Sequence, residues 1–157
     1  MNFFGDEGNY IPYTTVSETV DALLAGNSDY AVIPQENTIG GPVIDYVDTL
    51  ISQKDVSIVG EIELPIRQNL LGIAGTDLSD IQTVYSHKQG ILQGANWLQE
   101  NIPQAEVIEV SSTAEGAKMV SESQDPSEAA IASAACVPVY QLEMLAESIQ
   151  ENDNNVT

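Results

Sequence analysis

The chain has 157 residues, with 24 Asp and Glu against 4 Lys and Arg and a formal net charge of −20. That length serves one domain or two small lobes with a real core. No apolar run approaches the ~18 residues of a membrane span, and so few basic residues make no phosphate-tracking surface, which excludes nucleic acid and anionic membrane as partners.

Thr15-Val16-Ser17-Glu18 has the form of a capping box, and Val16, Val20, Leu23 and Leu24 recur at helical spacing up to Gly26, where a C-terminal stop belongs. Tyr30 to Pro34 reads as a short buried strand. A loop follows from Glu36 to Gly41, with Pro42 in the first turn of a helix whose apolar face is Val43, Val47, Leu50 and Ile51. Val56 to Leu64 and Asn69 to Ala74 read as strands on either side of Pro65. Gln82 to Tyr85 is a further strand, followed by Ser86-His87-Lys88-Gln89-Gly90 and a helix from Ile91 to about Asn101. Next come a strand from Glu106 to Val110, the triplet Ser111-Ser112-Thr113, and a helix opened by a Ser112…Glu115 box. A strand from Ala129 to Ala132 leads into a helix starting at Ser133-Ala134-Ala135-Cys136, and Glu147 to Ile149 is a last short strand before a polar tail. Strands alternating with helices imply an α/β fold with parallel sheets and right-handed crossovers.

The start, Met1-Asn2-Phe3-Phe4-Gly5-Asp6, lacks the basic stretch of a secretory signal. A lone Cys136 excludes an internal disulfide framework and a zinc site built on several cysteines. The expectation is a cytoplasmic globular protein. Its 43% hydrophobic residues, grouped in strand-like and helix-like blocks, argue against disorder. A solvated acidic surface is the better reading, and its self-repulsion points to a salt-rich interior, where the Debye length falls to ~3 Å at 1 M.

Ligands of open α/β sheets bind beyond the carboxyl ends of strands, at the amino ends of helices. Small polar residues stand at each such junction here: Gln35-Glu36-Asn37-Thr38, Ser86-His87-Lys88-Gln89, Ser111-Ser112-Thr113 and Ser133. Free N–H groups and the positive helix end favour a carboxylate or phosphate at these places. Ser and Thr at helix starts are also ordinary caps. Hydroxyls, amides, a carboxyl and the sole imidazole at four junctions favour a site between two lobes.

These blocks carry a family resemblance. Ala31-Val32-Ile33-Pro34-Gln35-Glu36-Asn37-Thr38-Ile39-Gly40-Gly41 resembles the V-P-I-E-N-S-x-x-G block of prephenate dehydratases, and Ser86-His87-Lys88-Gln89 their S-H-P-Q block. Ser112-Thr113-Ala114 resembles their S-T-A block, Ala129-Ala130-Ile131-Ala132-Ser133 their A-A-I-A-S block, and Asn155-Val156-Thr157 the start of N-x-T-R-F. The order and spacing agree from about residue 11 to the end. The resemblance implies a two-lobed type II periplasmic-binding-protein-like fold with mostly parallel sheets, residues 1–65 and 149–157 forming one lobe and 66–148 the other. It implies conversion of prephenate to phenylpyruvate, water and CO2 in phenylalanine biosynthesis, with no metal or organic cofactor, by a homo-oligomer.

The resemblance also assigns roles. Thr157 stands at the departing ring hydroxyl, as a hydrogen-bond donor or proton relay, and Glu36 and His87 complete the catalytic set. Asn37, Thr38, Ser86, Gln89, Ser112, Thr113 and Asn155 bind substrate; there are no metal ligands. The residues themselves leave alternatives: Thr157 as a frayed end, Glu36 as a solvated carboxylate, His87 as a structural hydrogen-bonder, Ser112 and Thr113 as caps. Arg67 either meets a substrate carboxylate or pairs with one of the many acids; Cys136 and Trp97 read as packing residues. Two departures stand out. The family's opening G-P-x-G-T-[FY]-S loop corresponds to Phe4-Gly5-Asp6-Glu7-Gly8-Asn9-Tyr10, after which the first helix is missing, and the chain stops before the Arg-Phe of the last block and any ACT domain. These departures keep open a small-carboxylate-binding relative with impaired chemistry and a non-aromatising prephenate decarboxylase.

Overall fold

The structure, a computed structural model, describes Phe4 and residues 8–157, without the side chains of Ile44, Asp45 and Val47. Gly5, Asp6 and Glu7 of the expected opening loop therefore lie outside the described residues, as does Val47 of the expected apolar face. The backbone falls into two compact units, Met1–Pro65 with Asn155–Thr157, and Ile66–Asn154.

The second unit is built on one five-stranded sheet. Its strands are β3 (Asn69–Gly72), β4 (Thr83–Ser86), β5 (Glu106–Glu109), β6 (Glu128–Ala132) and β7 (Glu143–Ala146), in the order β5-β4-β6-β3-β7. Strand β4 runs parallel to β5 and β6, whereas β3 runs antiparallel to β6 and β7. The sheet is thus mixed and mostly parallel, with β3 alone reversed. The mostly parallel expectation holds, and the one reversal has a physical reason: β3 opens the unit with no helix of that unit before it, so the crossover rule does not constrain its direction.

All four residues of β3 are buried, because both faces of the sheet are covered. Leu70 packs on one face with Ile81, Val84, Leu98, Ile102, Ile131 and Ile149. Leu71 packs on the other with Ala117, Val120, Ala130, Ala132, Cys136 and Leu142. Each fully buried Leu or Ile contributes about 1.5–3 kcal/mol. The first face carries α4 (Ala95–Asn101) and the second carries α5 (Thr113–Ser123) and α6 (Cys136–Tyr140). Ile149 belongs to this core, and its N–H donates to Gln68 O at 2.8 Å. Residues 149–154 consequently go with the second unit, not with the first as the sequence reading has it.

Several expected elements change in detail. The single helix from Ile91 divides into α3 (Lys88–Gln93) and α4 at Gly94, where a methyl group would stand 3.1 Å from Ile149 Cδ1. The last strand is Glu143–Ala146, not Glu147–Ile149, since it is Met144 and Ala146 that pair with Leu71 and Leu70.

In the first unit, α1 (Val16–Leu24) forms as expected. Thr15 Oγ1 accepts from Glu18 N–H at 3.2 Å while Glu18 Oε2 accepts from Thr15 N–H at 3.1 Å, and Gly26 follows at φ +74°. Pro42 does not open a helix. It pairs with Glu36 in a hairpin of β1 (Glu36–Asn37) and β2 (Gly41–Pro42), turned through Gly41 at φ +80°, and α2 begins at Ile44 (Ile44–Ser52). Tyr30–Pro34 and Val56–Leu64 form no ladder among the described residues, and Val32, Ile58 and Val59 are exposed. Their β-branched composition suits a strand, but a strand also needs a neighbouring backbone for its N–H and C=O groups. Among the described residues Leu64 finds one, exchanging bonds with Thr157 (Leu64 N–H to Thr157 O, 2.8 Å; Thr157 N–H to Leu64 O, 3.0 Å).

Candidate active site

The expected site residues separate into two sets, one in each unit. In the first unit, the turn after β1 anchors Asn37: its Oδ1 accepts from Ile39 N–H at 3.0 Å and Gly40 N–H at 2.8 Å. With the oxygen so engaged, Nδ2 faces the other way and donates to Asn155 Oδ1 and to Thr157 Oγ1, both at 2.8 Å. Thr38 ties down the same terminal segment. Its N–H donates to Val156 O at 2.9 Å and its Oγ1 accepts from Val156 N–H at 3.0 Å. Thr157 is therefore held by backbone and side-chain bonds, not frayed. Asn155 is 1% exposed, and its Nδ2 is buried with no hydrogen-bond partner among the described residues. A buried donor left unpaired costs about 1–3 kcal/mol, so this one is a place where a ligand acceptor is rewarded. Glu36 sits beside the cluster but is exposed, with no side-chain hydrogen bond among the described residues.

In the second unit, the turns after β4 and β5 line an open pocket of about 330 Å³ formed by Gln68, His87, Gln89, Gly90, Ser111, Ser112 and Thr113. His87 caps α3, its Nδ1 accepting from Gln89 N–H at 3.3 Å, which leaves the ring proton on Nε2. Ser112 caps α5, accepting from Glu115 N–H at 3.0 Å. Glu115 does not complete the expected box on Ser112. Its carboxylate instead accepts from the N–H and the hydroxyl of Ser111, and those two donors hold it below the usual carboxylate range. The amino end of α5 thus offers hydroxyls and N–H groups suited to a carboxylate.

Ser86 stands apart from this pocket. It is fully buried, and its hydroxyl donates to Ile131 O at 2.8 Å, tying β4 to β6. Bare backbone at Gly90 is needed directly above it, since a methyl group there would come within 2.5 Å of Ser86 Oγ. Arg67 pairs with Asp153 at 2.6 Å. Burial pushes the Cys136 thiol up, as befits a packing residue. Ser111, named with its junction triplet, lines the pocket, and so do Gln68 and Gly90, which were not assigned to the site from the sequence; the signal there was a polar Gln directly before an apolar run and a Gly closing a block already noted. Among the described residues no group of three or more His, Cys, Asp or Glu is placed to hold a metal ion, and no helix is long and apolar enough to cross a membrane.

An α/β protein whose strand-to-helix turns present hydroxyls and amides in place of cations is the class that sheet and site define. The family model for prephenate dehydratase matches residues 1–157, and the chain belongs to the prephenate dehydratase family. It is 37% identical over 157 residues to the bifunctional chorismate mutase/prephenate dehydratase of Aquifex aeolicus (strain VF5), covering 100% of this chain and 42% of that protein. Among solved structures it resembles prephenate dehydratase from Arthrobacter aurescens in complex with L-Phe, with a TM-score of 0.82 and 32% identity over 93% of this chain and 49% of that one. A structure described as GqqA, a novel type of quorum quenching acylase, gives a TM-score of 0.80 and 27% identity over 93% of this chain and 52% of that one. The chain spans about half the length of these relatives.

Proposed function

We propose that the chain catalyses the decarboxylating dehydration of prephenate to phenylpyruvate. In this reaction the electron pair of the ring C–CO2⁻ bond moves into the ring as CO2 departs, the ring C–OH bond breaks, and the leaving hydroxide takes up a proton as water. A protein assists by donating a hydrogen bond to the leaving oxygen and by holding the carboxylates in preorganised donors.

One observation carries the reading: Asn37 Nδ2 donates to Thr157 Oγ1. An oxygen that already accepts directs its own hydrogen elsewhere, so Thr157 is set as a donor, with the unpaired Asn155 Nδ2 close by. In this reading Thr157 serves the leaving hydroxyl, and Asn37 and Asn155 orient it. Thr38 holds the segment in place. Ser112, Thr113, Gln89 and the free Nε2 of His87 bind a carboxylate in the second unit. Glu36 adjusts the charge beside Asn37, and Ser86 supports the pocket from beneath. Family membership supports the wider picture of a carbon–oxygen lyase of phenylalanine biosynthesis, cytoplasmic and homo-oligomeric, working without metal or cofactor.

The test is phenylpyruvate formation from prephenate by the purified chain, with Thr157→Val as the variant. The valine keeps the shape and removes the hydroxyl, so kcat should fall by about 10²- to 10⁴-fold with little change in KM. Undiminished turnover removes Thr157 from the mechanism, and prephenate binding without turnover in the unaltered chain leaves a carboxylate-binding protein instead.

A further inference from the structure

Ser111 and Ser112 line the pocket of the second unit side by side, and they meet Glu115 in opposite ways. The main-chain N–H of Glu115 donates to Ser112 Oγ at 3.0 Å. Having accepted, that oxygen points its own hydrogen elsewhere, so Ser112 remains a donor. The Glu115 carboxylate takes both donors of Ser111, accepting from its N–H at 3.0 Å and from its hydroxyl. An ionised carboxylate only accepts, so the direction of these two bonds is fixed by chemistry. Ser111 has no hydrogen left to offer a ligand. The corner is anchored to the sheet on either side of the two serines. Val110 N–H donates to Ser86 O at 2.9 Å. Beyond them α5 lies directly on β4, since a methyl group on Gly116 would stand 3.0 Å from Tyr85 O. Ser111 and Ser112 bridge these anchors, and Glu115 binds each of them.

We propose that Glu115 is a positioning residue, its carboxylate fastening Ser111 so that the Ser112 hydroxyl and the first N–H groups of α5 stay aimed at a carboxylate of the substrate. Those N–H groups belong to Thr113 and Ala114, which open the helix where no intrahelical acceptor exists. The inference rests on the function proposed above and involves the second unit alone; the leaving hydroxyl stays with Thr157. Glu115 itself touches no substrate. It occupies the donors of Ser111, and the substrate carboxylate takes the donors that Glu115 leaves free. Without the Glu115 side chain, Ser111 is released to turn, and the cradle is no longer preorganised for the incoming charge.

The experiment measures KM and kcat for prephenate in Glu115→Ala, Glu115→Gln, Ser111→Ala and the double variant Ser111→Ala/Glu115→Ala, with a thermal melt of each. Glu115→Ala should raise KM about ten-fold while kcat changes by less than about three-fold. Gln keeps an oxygen that accepts from the same donors, so Glu115→Gln should hold KM within about three-fold of the unaltered chain. Ser111 and Glu115 act as one pair, and the double variant should therefore be no worse than Glu115→Ala alone. Where Glu115→Ala melts below the assay temperature, Ser111→Ala by itself should still raise KM about three-fold, because it removes one of the two bonds; an unchanged KM there overturns the role. An unchanged KM in Glu115→Ala, an equal loss in Glu115→Gln, or additive losses in the double variant overturns the role of Glu115 while the proposed activity stands. A lowered KM in Glu115→Ala overturns it too, since Glu115 is then a competitor for the donors of Ser111. Failure of the unaltered chain to bind or convert prephenate overturns the activity, and the role of Glu115 with it.

Discussion

An amide side chain has a donating end and an accepting end, and at Asn37 the surroundings use one end to aim the other. Two backbone N–H groups fasten Asn37 Oδ1, so its Nδ2 meets Asn155 Oδ1 and Thr157 Oγ1. Asn37→Asp is nearly the same shape with the donor replaced by a second oxygen. That oxygen faces Asn155 Oδ1 without a hydrogen between them and captures the Thr157 proton that the proposed reaction requires. Turnover should fall at least ten-fold, and stability by about 1–3 kcal/mol in denaturant titration. Full activity in that variant contradicts the orientation assigned to Thr157. Ser86 shows the contrary case: its hydroxyl looks functional in an S-H-K-Q block, but its burial against Ile131 O gives it a structural task.

At the level of elements, the opening of α5 joins stability to the pocket. Ser112 caps the helix while the Glu115 carboxylate, held below its usual range by Ser111, adds negative charge to the first turn. A carboxyl whose folded pKa is depressed stabilises the fold above its unfolded pKa, and that contribution disappears as pH falls through the folded value. Glu115→Gln should therefore narrow the gap in melting temperature between neutral and acid solution, with neutral pH showing the loss and strongly acid pH showing none. A loss that persists unchanged below the carboxylate range assigns Glu115 a different role. Strand β3 and the helix break at Gly94 belong to this scale too, since both follow from what packs on them, Leu145 and Ile149 among others.

For the molecule as a whole, the charge of −20 is the dominating quantity. Among the described residues the ion pairs are Arg67–Asp153 and Lys118–Glu122, both at the surface, so most carboxylates have no cationic partner. Self-repulsion of that kind weakens a compact state and is relieved when salt shortens the Debye length from ~10 Å at 0.1 M to ~3 Å at 1 M. The melting temperature should rise as KCl is increased over that range. An unchanged midpoint removes the case for salt adaptation and leaves an ordinary acidic surface.

The sequence by itself determined the α/β class, the cap of α1, the strands around Leu70, Val84 and Ile131, and the polar blocks from which both residue sets are drawn. Each of these depends on local chemistry, such as a hydroxyl before a helix or an apolar run between turns. Only the tertiary structure decided that β3 runs against its neighbours, that 149–154 joins the second unit, and that Ser86 is buried while Gln68 reaches the pocket. Only it brought Asn37 to Asn155 and Thr157 across more than a hundred residues of chain. Local propensity cannot specify which distant backbone a strand meets or which end of an amide is already engaged. Both are properties of the partner, and the partner is supplied by the fold.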